Sequence, residues 1–437
     1  VPDAEERDMS FTLVAMIGVL ALFLLIILKV PISFAMFIVG FFGMLHITSP
    51  MAAYNIISSG IWEQLSSYSL SVIPLFVFMG ELLFRSGITE KLFAAAYAWT
   101  GHRRGSMATT TILSSAGFAA VCGSNTATAA TVGTIALPEM KKFGYHKALS
   151  AGSVAAGGTL GVIIPPSAVL IVIALQAELA IRDLFIASIL PGLILMTLFV
   201  LTIACLCWRN PAMAPAGERS SWGVRLASLK GVVEIFVLFI LVLGGLFAGW
   251  FTSTEAAAVG CVGAITIIGL RGRLSWEMLW ESLSNTLRTS AMILMLVAGA
   301  VVFGRFLTVT RLPFLVGEWA AALPLPAVLV MACVLLIYVV GGALMDAMGF
   351  LIISIPIFFP VALVLGYDPI WFGIMVCIVT SMGAITPPVG VNAFIVKSLD
   401  PELSFGDIFL GVGYFMAPYL LCIALLLLVP DIVLFVL

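Results

Sequence analysis

The sequence predicts an all-α polytopic membrane protein folded as an inverted-topology repeat, with two re-entrant helical hairpins and two broken helices. Three observations carry this. Of 437 residues, 62% are hydrophobic and only 10% charged, against about 25% charge in a soluble domain, and mean hydropathy is +1.20. Apolar windows long enough to cross roughly 30 Å of hydrocarbon recur along the whole chain. Matched Pro and Gly positions recur 222 residues apart: Pro138 with Pro360, Gly144-Tyr145 with Gly366-Tyr367, and Pro165-Pro166 with Pro387-Pro388.

Taken in order, the windows fall at 11–29, 31–48, 67–85, 146–178, 184–208, 231–249, 252–270, 289–309, 368–396 and 406–436, which makes ten crossings. The first follows Asp3, Glu5, Glu6, Arg7 and Asp8. A secretory signal has a basic leader instead, so this window reads as a retained span. Stretches 106–140 and 326–362 are apolar but interrupted, by GSNT at 123–126 and by GGALMDAMG at 341–349, and each reads as a hairpin that enters and leaves on one side. Segments 88–100, 275–285 and 312–323 mix charge with Leu, Phe and Trp and read as helices lying along the interface.

Ungapped alignment of 117–174 with 339–396 gives 11 identities, where composition alone gives roughly four or five, so duplication is the better account. The predicted organisation is therefore repeat 1 over 1–209, a cytoplasmic linker over 210–230 and repeat 2 over 231–437. Repeat 1 holds three spans, hairpin 106–140, broken span 146–178 and span 184–208. Repeat 2 holds three spans, hairpin 326–362, broken span 368–396 and span 406–436. Five crossings per half leave the second copy upside down. The charges agree: with the N-terminus outside, 16 of the 20 Lys and Arg fall inside, all but Arg7, Arg182, Arg305 and Arg311, as the positive-inside rule requires. Both termini are then periplasmic or extracellular. Inverted repeats are typical of secondary transporters, with substrate and ion sites near the midplane.

Composition excludes several functions. A net charge of −2 offers no basic face for nucleic acid. The seven cysteines lie in apolar stretches without metal or disulfide spacing. His46, His102 and His146 fall at loops or span ends and support no proton relay. No Walker loop, dinucleotide fingerprint, hydrolase motif or HExxH is present, so a gradient is the expected energy source and no enzyme is predicted.

Candidate chemistry sits at the interruptions. At GSNTATAATVG (123–133) a turn deep in the membrane exposes helix ends, where carbonyls with Ser124, Asn125 and Thr126 replace the hydration shell of Na⁺ and the next helix N-terminus draws an anion. The competing reading is close packing of small residues. In GGTLGVIIPPSAVL (157–170) two prolines remove amide donors and break the helix, freeing carbonyls around Thr159–Ile164 for one ion cage. TSMGAITPPVGVN (380–392) beside 341–349 forms the second, unless both are bare proline kinks. Asp346, isolated in an apolar hairpin, ligates Na⁺, takes a proton or caps the following helix. Thr252 and Glu255 read as a capping box; Glu81, Glu234 and Asp431 lie near span ends and need no role.

These residues carry a resemblance. PLFVFMGELLFRSG (74–87), GSNTATAATVG (123–133), GTLGVIIPPS (158–167), TEAAAVG (254–260), IPIFFP (355–360) and TPPVGVN (386–392) together resemble the large membrane (M, DctM-like) subunit of tripartite ATP-independent periplasmic (TRAP) transporters, almost end to end. One departure is Asn125, where a second Ser is expected in many members; SNT is similar to the tip of related divalent-anion/Na⁺ symporters. The resemblance implies an elevator-type carrier of the ion-transporter superfamily in a bacterial or archaeal cytoplasmic (inner) membrane. It implies two or more Na⁺, the first near Ser124, Asn125, Thr159 and Gly161 and the second near Gly342, Thr380, Gly383 and Thr386. Thr126, Ser167, Asp346 and Asn392 are candidates around the substrate. That substrate is expected to be an organic acid, such as a C4-dicarboxylate or a sialic acid, delivered by a periplasmic binding protein, with a small four-helix (Q-type) membrane subunit extending the scaffold. The alternatives are a self-sufficient Na⁺/carboxylate symporter and, from another class, a channel or intramembrane enzyme, for which Asp346 lacks an obvious partner.

Overall fold

The computed structural model describes residues 4–217 and 219–437, with side chains from residue 11 onward; the acidic leader, Arg7 included, lies outside the described side chains. Among the described residues every regular element is a helix, and one isolated bridge joins Arg104 to Ala216. Large apolar side chains face outward along the helices, Leu20 at 69% and Leu270 at 86% exposure among them, which only a lipid surround tolerates.

Helix boundaries follow local chemistry. Ser49, Ser124, Ser167, Ser275 and Ser404 each cap a helix by accepting an amide hydrogen bond. The expected box of Thr252 and Glu255 is present at the start of Ser253–Leu270. The backbone's glycine-permitted turn at Gly123 (φ +64°) ends Ser106–Cys122 and opens the two-residue joint to Asn125–Lys142. Ala327–Leu344 and Ala347–Val364 form the second hairpin around Met345 and Asp346. Asn125–Lys142 and Ala347–Val364 are offset by 222 residues at both ends (347 less 125, 364 less 142). Lys147–Ile163 and Pro369–Gly383 start 222 apart as well.

Those last two helices form the centre. Every residue from Ala148 to Ile163 and from Trp371 to Gly383 is buried, and the two touch where Cys377 Sγ donates to Val162 O at 3.4 Å. Beyond its break the first continues as Ala168–Gln176, bent by 44°; the second continues as Val391–Leu399. Both Pro165–Pro166 and Pro387–Pro388 bonds are cis.

Several sequence expectations change. Seven helices are long and apolar enough to cross a membrane among the described residues, nine if two bent pairs each count as one; two of these are the arms Ala327–Leu344 and Ala347–Val364 of the second hairpin, so seven of the ten expected crossings are matched. The shortfall arises because helices such as Ile32–Ile47 and Pro369–Gly383 are only 16 and 15 residues long, about 24 Å or less at 1.5 Å per residue. Segment 275–285 is no separate interfacial helix: nothing between it and 289 breaks the backbone, and Trp276–Val309 runs unbroken for 34 residues. Pro50–Leu65 is a helix where no element was expected, and the linker contains the helix Trp222–Lys230. The expected span 231–249 contains a π turn at Ile240–Gly244.

Candidate functional site

The first tip rests on the first break. A Cβ placed on Gly123 would come within 2.6 Å of Pro166 O, and one on Gly161 within 2.3 Å of Ser124 O and 2.6 Å of Thr128 Oγ1. Glycine at these positions is what lets two backbones meet. Ala168 N donates to Gly123 O at 3.3 Å, tying tip to break. Within the tip, Ser124 Oγ lies 3.2 Å from Thr126 Oγ1, Thr126 N donates to Asn125 Oδ1 at 2.7 Å, and Thr128 Oγ1 donates to Ser124 O at 2.7 Å.

The second tip is built the same way. A Cβ on Gly342 would lie 2.5 Å from Thr380 O and one on Gly383 2.5 Å from Val339 O. The amides of Val389 and Gly390 both donate to Ala343 O, at 3.3 and 3.4 Å. Asp346 is the N-cap of Ala347–Val364, its Oδ2 accepting from Met348 N at 3.1 Å and Gly349 N at 3.4 Å, which realises the capping role considered for it.

Both tips open into one cavity of about 370 Å³. Ser124, Asn125 and Thr126 line it from one hairpin and Asp346, Ala347 and Met348 from the other. Two helix N-termini therefore face the same space, each equivalent to roughly half a positive charge. The remaining wall comes from Val72–Arg85, with Gly80, Glu81 and Phe84, and from Trp276–Val309, with Thr289, Met292 and Ile293. Among the described residues no group of three His, Cys, Asp or Glu is placed to hold a metal ion. A cation at either tip would rest chiefly on carbonyl, hydroxyl and amide oxygens, the hard donors that suit alkali and alkaline-earth ions.

The sequence candidates divide on this geometry. Ser124, Asn125 and Gly161 are brought together, as are Gly342, Thr380 and Gly383. Thr126 and Asp346 reach the shared cavity. The Thr159 hydroxyl donates to Ala156 O at 2.6 Å and accepts from Tyr419 Oη at 2.5 Å, so this side chain is engaged with Phe405–Leu428. Thr386 Oγ1 is held by Met382 O at 2.7 Å, and Ser167 Oγ caps its own helix through Leu170 N at 3.3 Å. Asn392 is fully buried outside the cavity, its Nδ2 donating across the halves to Ala155 O at 3.2 Å.

Glu81 is the residue that sequence reasoning missed. It lines the cavity, accepts from Asn285 Nδ2 at 3.4 Å and lies 3.7 Å from Arg85, which also pairs with Glu281. Its i,i+4 spacing to Arg85 was the available signal.

The fold is similar to a solved one: the YdaH transporter of Alcanivorax borkumensis superposes with a TM-score of 0.60 at 16% identity, covering 86% of this chain and 87% of that one. Residues 19–432 match the family described as tripartite ATP-independent periplasmic transporter, DctM component. The C4-dicarboxylate TRAP transporter large permease protein DctM of Pseudomonas aeruginosa is 34% identical over 342 residues, 78% of this chain and 79% of that protein. The sialic acid TRAP transporter large permease protein SiaM of Vibrio cholerae is 26% identical over 403 residues, 92% and 93% of the two chains. The chain belongs to the DctM family of TRAP transporter large subunits.

Proposed function

We propose that this chain imports an organic acid across the inner membrane by Na⁺-coupled symport, with the two tips as the ion sites and their shared cavity as the acid's site. The observation that carries the reading is that cavity, which both helix N-termini enter and where Ser124, Asn125, Thr126 and Asp346 meet. Helix N-termini favour a carboxylate, but Asp346 already occupies one of them. An incoming acid is therefore opposed by a fixed carboxylate until a cation neutralises it, so Na⁺ binds before the acid. The hairpins and broken helices would move as one body against the remaining helices, in an elevator step that carries the cavity across the bilayer. The hairpins are then re-entrant and the halves inverted, with both termini periplasmic.

Names among the relatives, C4-dicarboxylate and sialic acid, support a carboxylate cargo here. A periplasmic binding protein would deliver it and a small four-helix membrane subunit would complete the scaffold. The test is uptake in vesicles holding this chain, with and without its small subunit, binding protein and a Na⁺ gradient. Full-rate uptake by this chain alone would favour the self-sufficient symporter, and uptake indifferent to Na⁺ would end the ion-coupled reading.

A further inference from the structure

The linker between the halves is fastened to the base of the first hairpin. Gly217 N donates to Gly101 O at 3.1 Å, Arg104 bridges to Ala216, His146 N donates to Met213 O at 2.9 Å and Tyr145 Oη to Pro215 O at 3.4 Å. This seats the helix Trp222–Lys230 on Ile88–Thr100, with Trp99 edge-on to Trp222 at 6.2 Å. The contact buries Arg225 to 6% exposure, and among the described residues it is the only Lys, Arg, Asp or Glu that is buried.

A buried guanidinium is destabilising unless an anion compensates it. None does here among the described residues: no ion pair involves Arg225, and its Nε has no acceptor. It stacks on the Trp222 ring at 5.1 Å and reaches His102 Nδ1 from Nη2 at a long 3.4 Å. Loss of hydration and then the arginines Arg225, Arg103 and Arg219 hold His102 below its usual value, and an imidazole brings no negative charge with or without its second proton. Among the described residues the surroundings are cationic and short of one anion.

We infer that Arg225, with His102, Arg103 and Arg219, forms a binding site for a phosphate anion, occupied by the headgroup of an anionic phospholipid. Arginine's planar fork suits phosphate oxygens bidentately. The lipid source is favoured because the same helix exposes Trp222 at 63%, Leu226 at 58% and Val224 at 53% beside the site, an interfacial apolar face for acyl chains. Basic pockets at helix ends hold anionic headgroups in this way. The linker would then be clamped to the first hairpin by lipid as well as by its own hydrogen bonds.

The experiment titrates phosphatidylglycerol, phosphatidylcholine and inorganic phosphate against the purified full chain, read by melting temperature and by lipid adducts in native mass spectrometry. Phosphatidylglycerol is expected to raise the melting temperature and survive as an adduct. Its affinity should fall about tenfold in Arg225→Gln and about fivefold in Arg219→Gln, and stay unchanged in Lys29→Gln, an exposed lysine in the first loop. Arg219 is exposed, so its variant reports even where Arg225→Gln fails to fold. Equal stabilisation by both lipids, or a phosphatidylglycerol affinity untouched by Arg219→Gln and Arg103→Gln, overturns the site. Full stabilisation by inorganic phosphate without lipid overturns the headgroup assignment in favour of free phosphate.

Discussion

Adding one methyl group at Gly161 tests whether the first tip is an ion site or a packing seam. A Cβ there would lie 2.3 Å from Ser124 O, and ordinary contact begins at 3.4 Å, so the tip carbonyl must retreat by about 1 Å. Overpacking of this kind costs about 1–3 kcal/mol. A binding constellation tolerates only about 0.5 Å of displacement, so the strain is relieved at the expense of ion affinity. Since 1.4 kcal/mol is a factor of ten, the half-saturating Na⁺ concentration for Gly161→Ala should rise by roughly five- to hundredfold. The assay is a Na⁺ titration of melting temperature at constant ionic strength, with K⁺ as the balancing salt. Gly304→Ala is the control, because a Cβ there meets nothing within 4 Å and alanine is the better helix former by about 1 kcal/mol. A Gly161→Ala protein that melts lower yet keeps the parental Na⁺ midpoint would refute the reasoning and leave only a seam.

Ser124→Ala removes a helix cap worth about 1 kcal/mol and a proposed ion oxygen together; Na⁺ activation of uptake should weaken by about tenfold while expression holds, and lost expression with unchanged Na⁺ activation would contradict this. Tyr419→Phe should cost only about 1 kcal/mol, since Thr159 keeps its bond to Ala156 O, whereas Thr159→Val strands a buried phenol and should cost about 1–3 kcal/mol; chemical denaturation of both, and of the double variant in which most of the difference returns, checks the sign. Lys141 holds Glu402 below the ordinary carboxylate range, so their pair persists from neutral to mildly acidic pH and is lost only as pH falls through that lowered value. Both partners are more than half exposed, so Glu402→Gln should leave the melting temperature unchanged within error. Cysteine labelling of Arg103→Cys and Arg311→Cys in a background without the native cysteines should find opposite faces of the membrane, and one shared face would end the inverted-repeat reading.

What was legible in the sequence was what neighbours along the chain decide. Segment 88–100 appears as Ile88–Thr100 and the Thr252–Glu255 box as expected, because caps and breakers act within a turn. The same locality hid Pro50–Leu65, where Asn55, Ser58, Ser59, Glu63 and Gln64 dilute the apolar signal of a helix begun by Ser49 and Pro50. Only the tertiary structure decided which way a helix faces. It turned Thr159 toward Tyr419, brought Glu81 to the cavity that Asn125 and Asp346 line, and buried Arg225 where the linker helix packs on Ile88–Thr100. Around lipid, apolar content says little about which face of a helix meets protein, since hydrocarbon solvates either face equally well. Helix azimuth is then set by close approach of small residues and by polar groups seeking partners across 200 residues of chain, and no local pattern encodes that.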